Sequence, residues 1–197
     1  MKISATTLLS RIVSIAKGIQ QPPVASKQIY EVDEIKSFVR NKNNLIWIVY
    51  ALNRKTKEVV SYNVGNRTNA TLGVVTKTLD LSIAKKIYTD KWRGYKSLIC
   101  RKIHSTFNRS TNHIERHNLT LRTHLKRLTR RSICFSRSAA VLSAILRIYF
   151  WGWFLFVEYS MNVPKVSFVN NWFFIKKLHL CQNFKFLKVL TKQNTTN

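Results

Sequence analysis

Apolar residues near the start of the chain recur at helical spacing, Leu8, Ile12, Ile15 and Ile19, with Arg11 and Lys17 off that stripe. The spacing predicts an amphipathic helix over residues 4–19, N-capped by Ser4 or Thr6, and Gln20-Gln21-Pro22-Pro23 breaks it into a linker. The pattern then becomes one of strands: residues 28–39 around YEVDEI, LIWIVYAL at 45–52 and VVSYNV at 59–64 are rich in β-branched and aromatic side chains. Asn53 to Lys57 reads as the hairpin turn between the last two. Helical spacing returns in Asn69–Leu79 with Leu72, Val75 and Leu79, and KKIYTD at 85–90 is a short strand ending on an aspartate. A Gly94-containing segment, a strand over 102–107, a basic helix from Asn112 to Leu128 and an apolar helix from Ser138 to Trp151 complete the pattern. The basic helix carries Ile114, Leu121, Leu125 and Leu128 on one stripe.

Beyond Trp151 the composition shifts. Every arginine lies at or before Arg147, and the remainder is rich in Phe, Lys, Asn and Leu. We therefore expect three parts: helix and linker over 1–24, a folded domain over 25–151, and an atypical tail over 152–197. Read-through of AT-rich DNA in a shifted frame would produce such a tail, and so would an evolved membrane-binding or partner-binding segment. The apolar run at 148–157 is ten residues, shorter than the roughly 18–20 that a spanning helix needs. The N-terminus lacks the uninterrupted apolar run of a signal peptide, so a cytoplasmic protein with no obligatory membrane partner is expected. Cys100, Cys134 and Cys181 are far apart and lack CxxC spacing, which points neither to a disulfide framework nor to a zinc ribbon.

Charge changes the picture more. With 34 Lys and Arg against 8 Asp and Glu, the chain carries a net charge of +26. That excess calls for a polyanion, and counterion release from a phosphate backbone is its strongest common reason. Each acid retained in such a chain adds repulsion toward phosphates and so needs its own explanation. Asp33 sits mid-strand, where the period of two puts Tyr30, Val32 and Glu34 on one face and Glu31, Asp33 and Ile35 on the other. Asp90 ends a strand, where its carboxylate projects at the tip, and Glu115 follows on the basic helix with 24 residues between. Three such carboxylates can gather into an oxygen-rich pocket of the kind that Mg²⁺ favours. Taken singly, each also has an ordinary role: Asp33 paired with a lysine, Asp90 as a helix N-cap, Glu115 paired along its own helix.

The runs IYTDKWRGY and TNHIERHNLTLRTHLKRLTRRSICFSRS, together with YEVDEI, LIWIVYALNRKTKEVV and GNRTNATL, resemble the catalytic region of the insertion-sequence-one family of DDE transposases, over roughly residues 4–151. The resemblance implies a ribonuclease H-like fold, a mixed α/β sheet flanked by helices in the order β-β-β-α-β-α-β-α. It implies Asp33, Asp90 and Glu115 as catalytic metal ligands, Mg²⁺ or Mn²⁺ as cofactor in two copies, and cleavage and joining of DNA at the inverted repeats of a mobile element. A homo-oligomer that bridges two ends, associated with the nucleoid, is also implied. Arg122, seven residues after Glu115, resembles the basic residue that accompanies the family's glutamate and is expected to hold a DNA phosphate. Arg116, Lys126, Arg127, Arg130 and Arg131 extend this basic surface, which as an ordinary solvated face would have no partner. His113 and His117 flank Glu115 without an HExxH order and are not expected to be obligatory ligands. Trp92 and Tyr95 could stack on an unpaired base, although aromatics after a strand are more often core.

Complete members resemble this chain plus a preceding cysteine-rich zinc-binding segment and helix-turn-helix, of which the 4–19 helix is read as a remnant. A truncated or frame-shifted copy is therefore expected. The alternatives are an inactive remnant acting only as a basic DNA-binding protein, and a nuclease of the same fold.

Overall fold

A computed structural model describes residues 4–107, 110–129 and 134–152. The N-terminal helix α1 (Ala5–Gly18) starts at Ser4, whose hydroxyl accepts from the Thr7 amide as an N-cap. Strands β1 (Ile29–Phe38), β2 (Leu45–Asn53) and β3 (Val59–Gly65) form an antiparallel meander. The β2–β3 turn closes on Asn53, whose side-chain oxygen accepts from the amides of Lys55 and Thr56, while Lys57 takes the left-handed conformation at φ 62°. Helix α2 (Asn69–Leu81), capped by the Thr68 hydroxyl, crosses back to β4 (Lys86–Tyr88), which lies parallel to β1. The Gly94 segment forms the short helix α3 (Arg93–Leu98), and β5 (His104–Ser105) adds a second parallel strand. Helices α4 (Asn112–His124) and α5 (Ala139–Trp151) follow. The strand order is β3-β2-β1-β4-β5, with the acidic strand β1 at the centre. Three antiparallel strands followed by parallel additions on the far side of β1 make this the ribonuclease H-like arrangement.

Both faces of the sheet are covered, so β1 is buried on two sides. Ile35, Ile48, Tyr50 and Leu52 pack with Ile114 and Leu121 of α4 and with Leu142 and Leu146 of α5. On the opposite face Tyr30, Val32, Val49 and Ala51 meet Leu72, Val75 and Leu79 of α2, and Tyr95 of α3. The end of α1 joins the first of these cores through Ile19, and Arg147 of α5 donates to the Ile19 carbonyl at 2.7 Å.

The basic helix ends earlier than its sequence pattern implies. α4 stops at His124; Leu125 leaves helical geometry at φ −110°, ψ 93°, and one 3-10 turn covers Lys126–Leu128. Leu125 and Leu128 are nevertheless both buried in the core, at 1% and 2% exposure. Among the described residues no helix is long and apolar enough to cross a membrane. Trp153 to Asn197, and with them nearly all of the compositionally distinct tail, lie outside the described residues.

At Gly94 an added Cβ would be driven into the indole of Trp92, a half-buried ring that also carries the Arg67 guanidinium against it. Gly94→Ala is expected to destabilise the fold by about 1–3 kcal/mol, the usual cost of overpacking, measured as a lowered urea midpoint with an unchanged denaturant slope.

Candidate acidic site

Strand β1 carries three carboxylates within four residues, Glu31, Asp33 and Glu34, at the centre of a covered sheet. Burying carboxylates is costly unless each is paired or hydrogen-bonded. Glu31, with a fully buried side chain, accepts from the Ile114 amide at 2.9 Å, in the first turn of α4, and lies 3.4 Å from the Arg54 guanidinium. Glu34, with 2% of its side chain exposed, takes Arg67 Nε at 2.8 Å. These are the ion pairs among the described residues, and both arginines come from loops that flank β3. Asp33 is treated differently: its carboxylate accepts from the Glu34 amide at 2.8 Å and from Asn118 Nδ2 at 2.6 Å, both neutral donors.

Asp90 stands just past the end of β4. Because Tyr88 of β4 is in register with Glu31 of β1, the chain beyond β4 runs alongside Asp33. Its carboxylate accepts from the Trp92 amide at 3.0 Å. Burial raises the Asp33 pKa from 3.8 to about 6; the two hydrogen bonds pull it down, and the charges of Asp90 and Glu34 push it up further. Burial also raises Glu34, with Tyr95 and Arg67 opposing. The Asp90 charge thus acts on Asp33, and among the described residues no protein cation is paired with Asp33.

Glu115 lies on α4 one turn before Asn118 and takes the Thr111 hydroxyl at 2.9 Å. Among the described residues no three His, Cys, Asp or Glu side chains are gathered as a metal-binding group, so Asp33 and Asp90 are brought together and Glu115 stands apart, held by Thr111. The fit to a hard divalent cation rests on the pair: two carboxylates, one buried and carrying repulsion that a cation would relieve, supply the oxygen donors such ions take.

Asn118 is the residue that sequence reasoning missed. It is buried on α4, its oxygen accepts from the Tyr50 hydroxyl at 2.6 Å and its amide donates to Asp33, so it joins β2, α4 and β1. A lone asparagine on a helix in a basic run carries no signal of that role. His117 Nδ1 lies 3.1 Å from the same Tyr50 hydroxyl, and its half-buried ring stacks near Phe150.

The predicted phosphate-contacting residues divide. Arg116 and Lys126 are exposed; Arg122 is half-buried, close enough for its charge to act on Tyr50. Arg127 is turned inward and donates from Nη1 to Ser136 Oγ at 3.1 Å. Arg130 and Arg131 lie outside the described residues. Tyr95 is fully buried, which removes it as a stacking surface for a base, and the Trp92 ring has the Arg67 guanidinium against it.

A central strand bearing acids, a parallel neighbour with an acid at its tip and a helix packed against the central strand are the arrangement of a ribonuclease H-like domain. Residues 28–152 match the IS1 transposase family, and the chain belongs to that family. It is 39% identical over 118 residues to insertion element iso-IS1n protein InsB of Shigella dysenteriae, covering 60% of this chain and 90% of that protein. It is 43% identical over 108 residues to insertion element IS1 2 protein InsB of Escherichia coli strain K12, covering 55% of this chain and 65% of that protein. Among solved structures it is similar to the HTLV-2 integrase catalytic core domain in complex with magnesium, trimeric form, with TM-score 0.42 and 14% identity over 64% of this chain and 88% of that one.

The raised Asp33 pKa has a sign. The folded chain holds this proton more tightly than the unfolded chain, so the stability that Asp33 contributes is fully present below about pH 4 and is lost as pH rises through about 6. Urea unfolding without divalent metal should show this decline, and Asp33→Asn should reduce its slope; an unchanged slope would contradict a buried, uncompensated carboxylate at this position.

Proposed function

We propose that the chain is a transposase catalytic domain, residues 25–151, that cuts DNA at the inverted-repeat ends of an insertion element and joins the freed ends to target DNA. The observation that carries this reading is the sorting of acids on β1. Glu31 and Glu34 are each matched by an arginine, whereas among the described residues Asp33, beside Asp90, has neutral donors only. A pair arranged in this way is suited to a cation from outside the protein.

Asp33 and Asp90 would hold Mg²⁺ or Mn²⁺, with Glu115 completing the set on release from Thr111. Two bound ions would supply charge neutralisation at the attacking and leaving oxygens of a phosphodiester. The protein's own part is positional. Asn118 fixes the Asp33 carboxylate on one oxygen and the Glu34 amide fixes the other, so its orientation is set before DNA arrives. The Trp92 amide does the same for Asp90. Glu31, bonded to the first turn of α4, holds the Glu115 helix against the sheet. Arg122, Arg116 and Lys126 would neutralise phosphates along α4, extended by Arg130 and Arg131, and Arg127 would brace the following segment through Ser136. Water is the first nucleophile and the released 3′-hydroxyl the second, so no covalent link between DNA and protein is needed. A homo-oligomer would be required to hold two ends together, and the nucleoid is where such a protein would act.

Asp90→Asn should abolish Mg²⁺- or Mn²⁺-dependent nicking and joining on DNA that carries the gene's flanking repeats, at least a hundredfold below wild type, with DNA affinity within about threefold. Nicking without joined products would indicate a nuclease instead. Equal binding by both proteins with no metal-dependent product in either would indicate a DNA-binding remnant.

A further inference from the structure

The Arg67 guanidinium is held on three sides. Its Nε donates to Glu34 at 2.8 Å, and the group lies over the rings of Trp47, at 4.5 Å, and Trp92, at 4.7 Å. Trp47 comes from β2 and Trp92 from the segment after Asp90, so the stack ties together two elements distant in sequence. Trp92 is also the residue whose amide holds the Asp90 carboxylate, which places the stack directly beside the acidic pair.

Neutralising Glu34 requires only one edge of the guanidinium. No other acceptor is bonded to Arg67 among the described residues, and a third of the side chain remains exposed, 33% against 2% for Glu34. Two aromatic faces remove most of the rotational freedom an arginine normally loses when it grips a ligand. The result is a pre-oriented fork that neutralises Glu34 and stands near Asp90, two carboxylates that would otherwise repel an approaching phosphate.

We infer that Arg67 is a phosphate-binding residue for the DNA strand that enters the acidic site, with Trp47 and Trp92 as the walls that aim it and Glu34 as its internal anchor. This rests on the transposase reading above. It extends the DNA path from the α4 side of the sheet, where the basic helix lies, to the α2–α3 side.

The test is binding of the full chain to a labelled random-sequence DNA duplex in EDTA, read as the dependence of affinity on salt. Removing Arg67 alone leaves Glu34 buried without a partner, so Glu34→Gln is compared with the double variant Glu34→Gln/Arg67→Gln, which buries no orphan charge. Losing one phosphate contact should lower the slope of log affinity against log salt by about 0.9 and weaken binding roughly tenfold at low salt, relative to Glu34→Gln. Arg67→Lys in the Glu34→Gln background should keep the slope, since an ammonium still displaces a counterion. If the double variant matches Glu34→Gln in slope and affinity while remaining folded by circular dichroism, Arg67 is only the internal partner of Glu34 and the inference fails. Wild type without salt-dependent DNA binding would overturn the transposase reading itself, a result distinct from equal slopes in the variants.

Discussion

The organising constraint of this fold is the burial of an acidic strand. β1 occupies the centre of the sheet, is covered on both faces, and carries Glu31, Asp33 and Glu34 within four residues. An unpaired carboxylate in such a place would cost several kcal/mol. Much of the surrounding architecture answers this cost. The β2–β3 turn brings Arg54 to Glu31, the β3–α2 connection brings Arg67 to Glu34, and α4 begins where its Ile114 amide can bond to Glu31.

Alternation along the strand separates these answers in space. Glu31 and Asp33 face the α4 and α5 side, and Glu34 faces α2 and α3, so no single cation could serve all three. Each face has its own solution, and among the described residues Asp33 has no cationic partner. The neutral donors that do reach it, the Glu34 amide and Asn118, orient the carboxylate without discharging it. The carboxyl consequently stays poised, held up by burial and by Asp90.

The aromatic residues follow the same division of labour. Tyr50 links α4 to β2 through Asn118, and its hydroxyl is held well above its ordinary pKa, first by burial and then by the Asp33 charge, so it acts as a neutral donor. Trp47 and Trp92 hold Arg67, and Gly94 leaves room for the Trp92 ring, which a Cβ there would strike. The large positive charge of the chain thus has two parts: arginines engaged within the domain, such as Arg54 and Arg127, and exposed cations such as Arg116 and Lys126 that remain for solvent or DNA.

Periodicity alone determined most of the element order. The three strands, α2, α4 and α5 all appear where spacing of 2 or 3.6 residues places them, because local burial patterns reflect the face an element turns to the core. The candidate acids were legible for a similar reason: in a chain so rich in cations, an aspartate mid-strand or at a strand tip is conspicuous. What lay beyond the sequence was every relation between distant residues. Nothing in the pattern indicates that Glu31 would meet Ile114, that Asn118 would reach Asp33 across 85 positions, or that Arg67 would lie between two tryptophans. Nor could a helical stripe reveal that the chain leaves helical geometry at Leu125. The sequence decides which residues seek burial and which carry charge; only the closed sheet, with helices on both faces, decides which charge each buried carboxylate meets, because those energies depend on distances that chain separation does not encode.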